Sequence, residues 1–152
     1  MRAITRQSNL GSLGVVVRLG LVALFGYALA TKLIDPSQLL NPFEYGIGMS
    51  SALAGVMFVV TLLALLVCVM LLLFRRGGVG FVVSGVFFIV GAVYSAYLSR
   101  HQYQGSCGCG VSIAEGAENE LVIHAYQNAA SAVLCLFLGL QASLPENGFD
   151  DE

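Results

Sequence analysis

Four apolar runs, at 13–33, 51–74, 80–98 and 121–144, constrain this chain more than any other feature. A helix needs about 20 predominantly apolar residues to cross the hydrocarbon core of a bilayer, and each run is close to that length. Inside lipid every backbone N–H and C=O must be paired within the protein, so only helices and closed barrels span. Four strands cannot close a barrel, and the runs are therefore read as helices. Composition bears on the surface: 11% of residues are charged, against about 25% in an ordinary soluble domain. So few charges cannot cover a water-facing surface. The sequence predicts an all-α integral membrane protein, a four-transmembrane-helix bundle in contact with membrane lipid. It holds no basic face with interleaved aromatics, which argues against a nucleic-acid partner, and no phosphate-cradle, zinc-protease or serine-hydrolase motif.

The spans are punctuated. Asp35-Pro36 and Asn41-Pro42 read as breaks after the first run, Arg75-Arg76-Gly77-Gly78 as a tight hairpin between the second and third, and Pro145 as the stop of the fourth. The resulting layout is an N-terminus at 1–12, a membrane domain at 13–144, a loop at 99–120 and an acidic tail at 145–152. Arg2, Arg6, Arg18, Arg75 and Arg76 fall on one side of such a bundle, Lys32 and Arg100 on the other. Basic residues favour the cytoplasmic side. The expected orientation is therefore N-in and C-in, with the tail cytoplasmic and the 99–120 loop outside. A rival reading takes Arg2, Arg6 and the Ala28-Leu29-Ala30 triplet as a signal peptide with its cleavage site. The loop stays outside in either case. Ser51/Gly55, Gly80/Ser84 and Gly91/Ser95 are small-residue pairs at the spacing that lets membrane helices approach closely.

The loop carries the chemistry-bearing stretch "GSCGCG", with Cys107 and Cys109 one residue apart. Disulfides persist on the oxidising side of a membrane. A ring closed across one intervening residue departs from relaxed disulfide geometry and is easily reduced, which suits exchange better than stapling. Gly108 permits the unusual backbone angles. A thiol pair without turnover stands beside this reading. A metal site is the sharper competitor, since His101 and His124 flank the cysteines and complete a possible set of four ligands for zinc, or for Cu(I) on the thiolates. The single intervening residue counts against zinc, whose structural sites favour wider spacing.

In the last run His124, Gln127, Asn128 and Ser131 share one helix face, which Cys135 continues about 16 Å deeper than His124. Polar groups in a span normally face the bundle interior. The stripe is read either as a wall beneath the cysteine loop or as hydrogen-bonding glue between helices. Cys68 and Cys135 are read as small buried hydrophobes. Arg18 and Lys32 are expected to snorkel to opposite interfaces, with Lys32 alternatively placed to favour a thiolate by its charge.

The run "RLGLVALFGYALATKLIDPSQL", with Arg18, Lys32, Asp35 and Pro36, resembles the opening helix of the methylamine-utilisation MauE and DoxX-like membrane proteins. "CGCG" is similar to that family's CGCFG-type signature, and "YQNAASAVL" to the start of its last helix at Asn128. Two features depart from the pattern: Gly110 stands where a phenylalanine usually follows the second cysteine, and 51–74 lacks the acidic residue often found in the second helix. The resemblance implies a bundle like that of vitamin K epoxide reductase-like proteins in a bacterial inner membrane. It also implies periplasmic thiol–disulfide chemistry with a thioredoxin-like partner, in maturation of a methylamine dehydrogenase or a related pathway. Cys107 and Cys109 would carry the exchange, with His124, Gln127, Asn128 and Lys32 in support. A quinone stands as a possible electron acceptor, and a non-catalytic assembly or binding subunit as the alternative.

Overall fold

Every described span is helical, as the backbone's need for internal partners in lipid requires. The computed structural model describes residues 2–74, 78–101, 103 and 120–143, with side chains from residue 14 onward. Helix α1 (Arg2–Ile34) is followed by the short α2 (Ser37–Asn41) and a π-helical turn, Pro42–Gly46. Three long helices complete the chain: α3 (Ser51–Phe74), α4 (Val79–Arg100) and α5 (Glu120–Ser143). Gly14–Ile34 of α1 and the whole of α3, α4 and α5 are long and apolar enough to cross a membrane. The protein is a multi-pass membrane protein with an all-α, four-span fold. α1 is helical from Arg2, so the helix extends well before the apolar part that defines the span.

The spans bury stripes that advance by steps of three and four residues, the seam of closely aligned helices. On α1 the stripe is Leu21, Phe25, Ala28 and Lys32. On α5 it is Leu121, His124, Asn128, Ala132, Cys135 and Leu138. Phe25 sits at the centre, stacked on Phe88 at 5.2 Å between centroids and edge-on to Phe87 at 5.6 Å. Cys68 and Cys135 are both buried in this cluster. The outer faces carry exposed Leu63, Val93, Val133 and Leu140, which meet lipid tails.

Lipid is as apolar as the core, so close approach of backbones, rather than expulsion of oil from water, selects the pairing. A Cβ added to Gly78 would collide with the backbone of Gly139, drawing the start of α4 onto the end of α5. One on Gly80 would stand 3.1 Å from the carbonyl oxygen of Leu71, setting α4 against α3. Ser84 and Ser95 are buried and return their hydroxyls to their own helix, donating to the carbonyls of Gly80 (2.8 Å) and Gly91 (2.9 Å). The Ser51/Gly55 pair is different: a Cβ on Gly55 would meet nothing, so no close crossing occurs there.

Two expectations are corrected. Asn41-Pro42 does not break the chain. Pro42 has no N–H to offer the preceding turn, and the helix instead widens into a π-helical turn closed by the Ile47 N–H on the Pro42 carbonyl at 3.2 Å. Gly48, at φ 76°, then reverses the chain into α3, a conformation that favours glycine. The second correction concerns Lys32, which is buried at one end of the core stripe; Arg18 is part-buried at the other end, beside the last turn of α3. The Arg18 Nε–H donates to the carbonyl of Leu72. That carbonyl belongs to the last turn of α3.

Candidate functional site: a pocket beneath the loop stems

The antiparallel run of the spans brings the end of α1, the start of α3, the end of α4 and the start of α5 to one end of the bundle. The chain leaves α4 there and returns into α5. Both stems are held by one cluster. Leu98 and Leu121 are its buried centre, with Tyr103, Tyr94 and Ile47 packed against them. The Tyr103 N–H donates to the Leu98 carbonyl at 3.1 Å, and burial pushes its phenol above the usual tyrosine range. The π-helical turn backs this cluster, since a Cβ on Gly46 would run into Leu98 and Tyr103.

Below the stems a few polar side chains are buried in an apolar interior. His124 is buried one turn into α5, with Nε2 3.5 Å from Oε1 of Glu120. That separation is an electrostatic contact, too long for a good hydrogen bond. Asn128 follows one turn deeper, about 10 Å along α5 from Leu121. Its side chain lies on the bare backbone of Gly91, and its buried Nδ2 has no hydrogen-bond partner among the described residues. Lys32 is only 3% exposed. Its burial overturns the snorkelling expectation: the core stripe turns it inward, to line one cavity with Asn128.

Lys32 and Asn128 line a cavity of about 140 Å³. α3 contributes Met57, Thr61 and Leu65, and α4 contributes Phe87, Phe88, Val90 and Tyr94. Leu39 and Phe43, from α2 and the π-helical turn, form a further wall. The Thr61 hydroxyl donates to the Met57 carbonyl at 2.8 Å and leaves its oxygen as an acceptor. Phe43 and Tyr94 pack at 5.4 Å between centroids. The result is an aromatic slot with a lysine amine and an amide in its wall.

The predicted site residues divide accordingly. Lys32, His124 and Asn128 are gathered in the interior, and Gln127 flanks them, partly buried. His101 ends α4 exposed, with its ring 4.3 Å from that of Tyr97. Cys107 and Cys109 lie outside the described residues, as do the 75–77 hairpin and the acidic tail. Among the described residues no three His, Cys, Asp or Glu side chains converge as a metal set. The sequence reading did not find Tyr94, Thr61, Phe43 or Glu120. Only the Glu120/His124 spacing offered a local signal for any of them.

The model of the methylamine utilisation protein MauE family matches residues 10–141. The chain belongs to that family. The MauE match runs through all four spans and across the cysteine loop. No curated protein and no solved structure matches the chain.

Proposed function

We propose that this MauE-family protein is a thiol–disulfide factor of the bacterial inner membrane. It serves maturation of secreted partners in methylamine utilisation or a related pathway. Cys107 and Cys109 exchange with the thiols of a thioredoxin-like periplasmic protein through a mixed disulfide. The observation that supports this reading is the placement of the loop stems. Tyr103 and Glu120 bracket the cysteine segment at the end of the bundle where His124, Lys32 and Asn128 are buried. A reactive thiol needs a nearby group that stabilises its thiolate or moves its proton. A buried lysine and histidine are the groups that this end supplies.

The same reading sets the orientation. Arg18 reaches the carbonyl of Leu72, so it lies at the end of the bundle that precedes Arg75 and Arg76. With Arg2 and Arg6 these make the basic, cytoplasmic side, and the stems face the periplasm. The test is a Cys107→Ser variant, which should accumulate a mixed disulfide between Cys109 and a partner on non-reducing gels. Full activity and no mixed disulfide in both single variants, Cys107→Ser and Cys109→Ser, would remove the thiol–disulfide reading.

A further inference from the structure

We infer that the cavity between Lys32 and Asn128 binds the carboxyl end of a long-chain fatty acid taken from the membrane. The polar part of its wall comes from the first and last spans: Lys32 is in the last turn of α1, and Asn128 is on α5. Asn128 is 8% exposed, and its buried Nδ2 has no hydrogen-bond partner among the described residues. An amide N–H donates, so it calls for a ligand oxygen that accepts. The Lys32 amine, which also has an interaction within the fold, adds a second donor to the wall. A carboxyl group brings two oxygens to these two donors, where a ketone or an alcohol brings one. Acid and amine also balance. The protonated acid enters neutral; its O–H bond then breaks, and the proton goes to the Lys32 nitrogen. Carboxylate and ammonium result together, with no net charge added to the interior. An ammonium that meets a carboxylate ends in the same pair. Paired, two such charges are tolerated in a low-dielectric interior where one alone is not.

Size sets how much of the acid is held. The cavity, about 140 Å³, is close to the engineered cavity of about 150 Å³ that holds one benzene, which leaves room for a carboxyl group and about three carbons of chain. Leu39, Met57, Leu65 and Phe87 give that stretch of chain an apolar lining. The rest of the chain needs a way out. Val90 lines the cavity yet is 61% exposed on the outer face of α4, so the pocket meets the lipid and the tail joins the acyl chains there. A phospholipid head with its glycerol exceeds this volume. The binding does not depend on the thiol–disulfide reading.

Oleate isotope-labelled at its carboxyl carbon tests this by NMR. Titrated into the detergent-solubilised full chain, it should give a bound resonance apart from the micellar one, saturating at one oleate per chain. Bound oleate should also raise the unfolding temperature, as a ligand of the folded state does. Lys32→Met and Asn128→Leu should each weaken binding about tenfold, the loss expected with one charge-assisted or buried hydrogen bond. Val90→Phe narrows the lipid-facing mouth and should weaken binding too. It leaves the polar wall intact, so it decides the matter where a polar variant fails to fold. Val133→Phe, on the lipid face of α5, should leave binding unchanged. Methyl oleate has neither the acid proton nor the charge and should not displace oleate at equal concentration. A micellar resonance alone, unchanged affinity in all three cavity variants, or displacement by equimolar methyl oleate would each overturn the inference. The Cys107→Ser/Cys109→Ser double variant should bind oleate unchanged. Lost binding there would move the site to the loop and overturn the cavity assignment. Retained binding, with full activity and no mixed disulfide in the single variants, would sink the thiol–disulfide reading alone.

Discussion

The side chain of Asn128 rests on the backbone of Gly91: a Cβ at Gly91 would stand 3.1 Å from the Asn128 amide nitrogen. This contact joins the two helices that hold the loop stems and forms one wall of the cavity. Its existence depends on the missing side chain at position 91.

Gly91→Val should therefore displace Asn128 and destabilise the fold by about 1–3 kcal/mol, the usual cost of overpacking. Gly55→Ala is the matched control. Its Cβ meets nothing, and the gain in helix propensity, about 1 kcal/mol, should leave stability unchanged or raised. Denaturation of both variants in mild detergent checks the contrast. Equal effects would mean that Gly91 is not a close contact.

Arg18→Leu should weaken the attachment of α1 to the end of α3. The Leu72 carbonyl loses a charged donor, at a cost of about 1.5–3 kcal/mol. Arg18→Lys should recover part of it. The same denaturation series reads the result, and a neutral Arg18→Leu would show that the carbonyl is satisfied otherwise.

Thiol accessibility should split the four cysteines. A membrane-impermeant maleimide applied outside intact cells should label Cys107 and Cys109 after mild reduction. Cys68 and Cys135, each 1% exposed, should react only after unfolding. Labelling of the loop pair solely from the cytoplasmic side would reverse the proposed orientation.

The turn after α1 should be acid-sensitive. Hydrogen bonds from the Ser37 hydroxyl and N–H and from Gln38 hold the Asp35 carboxyl below its usual range. A depressed carboxylate contributes stability above its unfolded value near 3.8 and loses it as pH falls through the lower folded value. Asp35→Asn should lack this dependence. The two proteins should differ at neutral pH and converge in acid, as read by proteolysis of the 35–50 segment.

The spans were legible in the sequence because a bilayer demands about 20 apolar residues and little else has that signature. Which face of each helix turns inward was harder to read. A core face and a lipid face are equally apolar, so hydrophobic periodicity carries little direction. α5 was the exception, because its polar residues mark the interior: His124 and Asn128 could be aligned by spacing alone. On α1 the same spacing ran through Arg18, Leu21, Phe25, Ala28 and Lys32, but long cationic side chains have a second option at the interface. Tyr94 and Thr61 gave no signal at all. Their place in the cavity depends on how α3 and α4 diverge beyond their close contact at Gly80, and that is a property of the pair. The segment from Ser37 to Gly46 was misread because proline marks a break only where the chain cannot accommodate its missing N–H, and a π-helical turn does accommodate it.

The inward cations of α1 also bear on biogenesis. A lysine or arginine costs up to about 2.5–3.5 kcal/mol in an inserting helix, at its centre, and less toward its ends, and α1 carries one near each end of the face that becomes core. Until α3 arrives, Arg18 has no Leu72 carbonyl to reach, and until α4 and α5 arrive, Lys32 has no cavity to line. The first span is therefore a poor stand-alone membrane anchor. It should be held at the translocon until the later spans emerge, and a nascent chain truncated after α1 should slip back toward water where the full chain stays integrated.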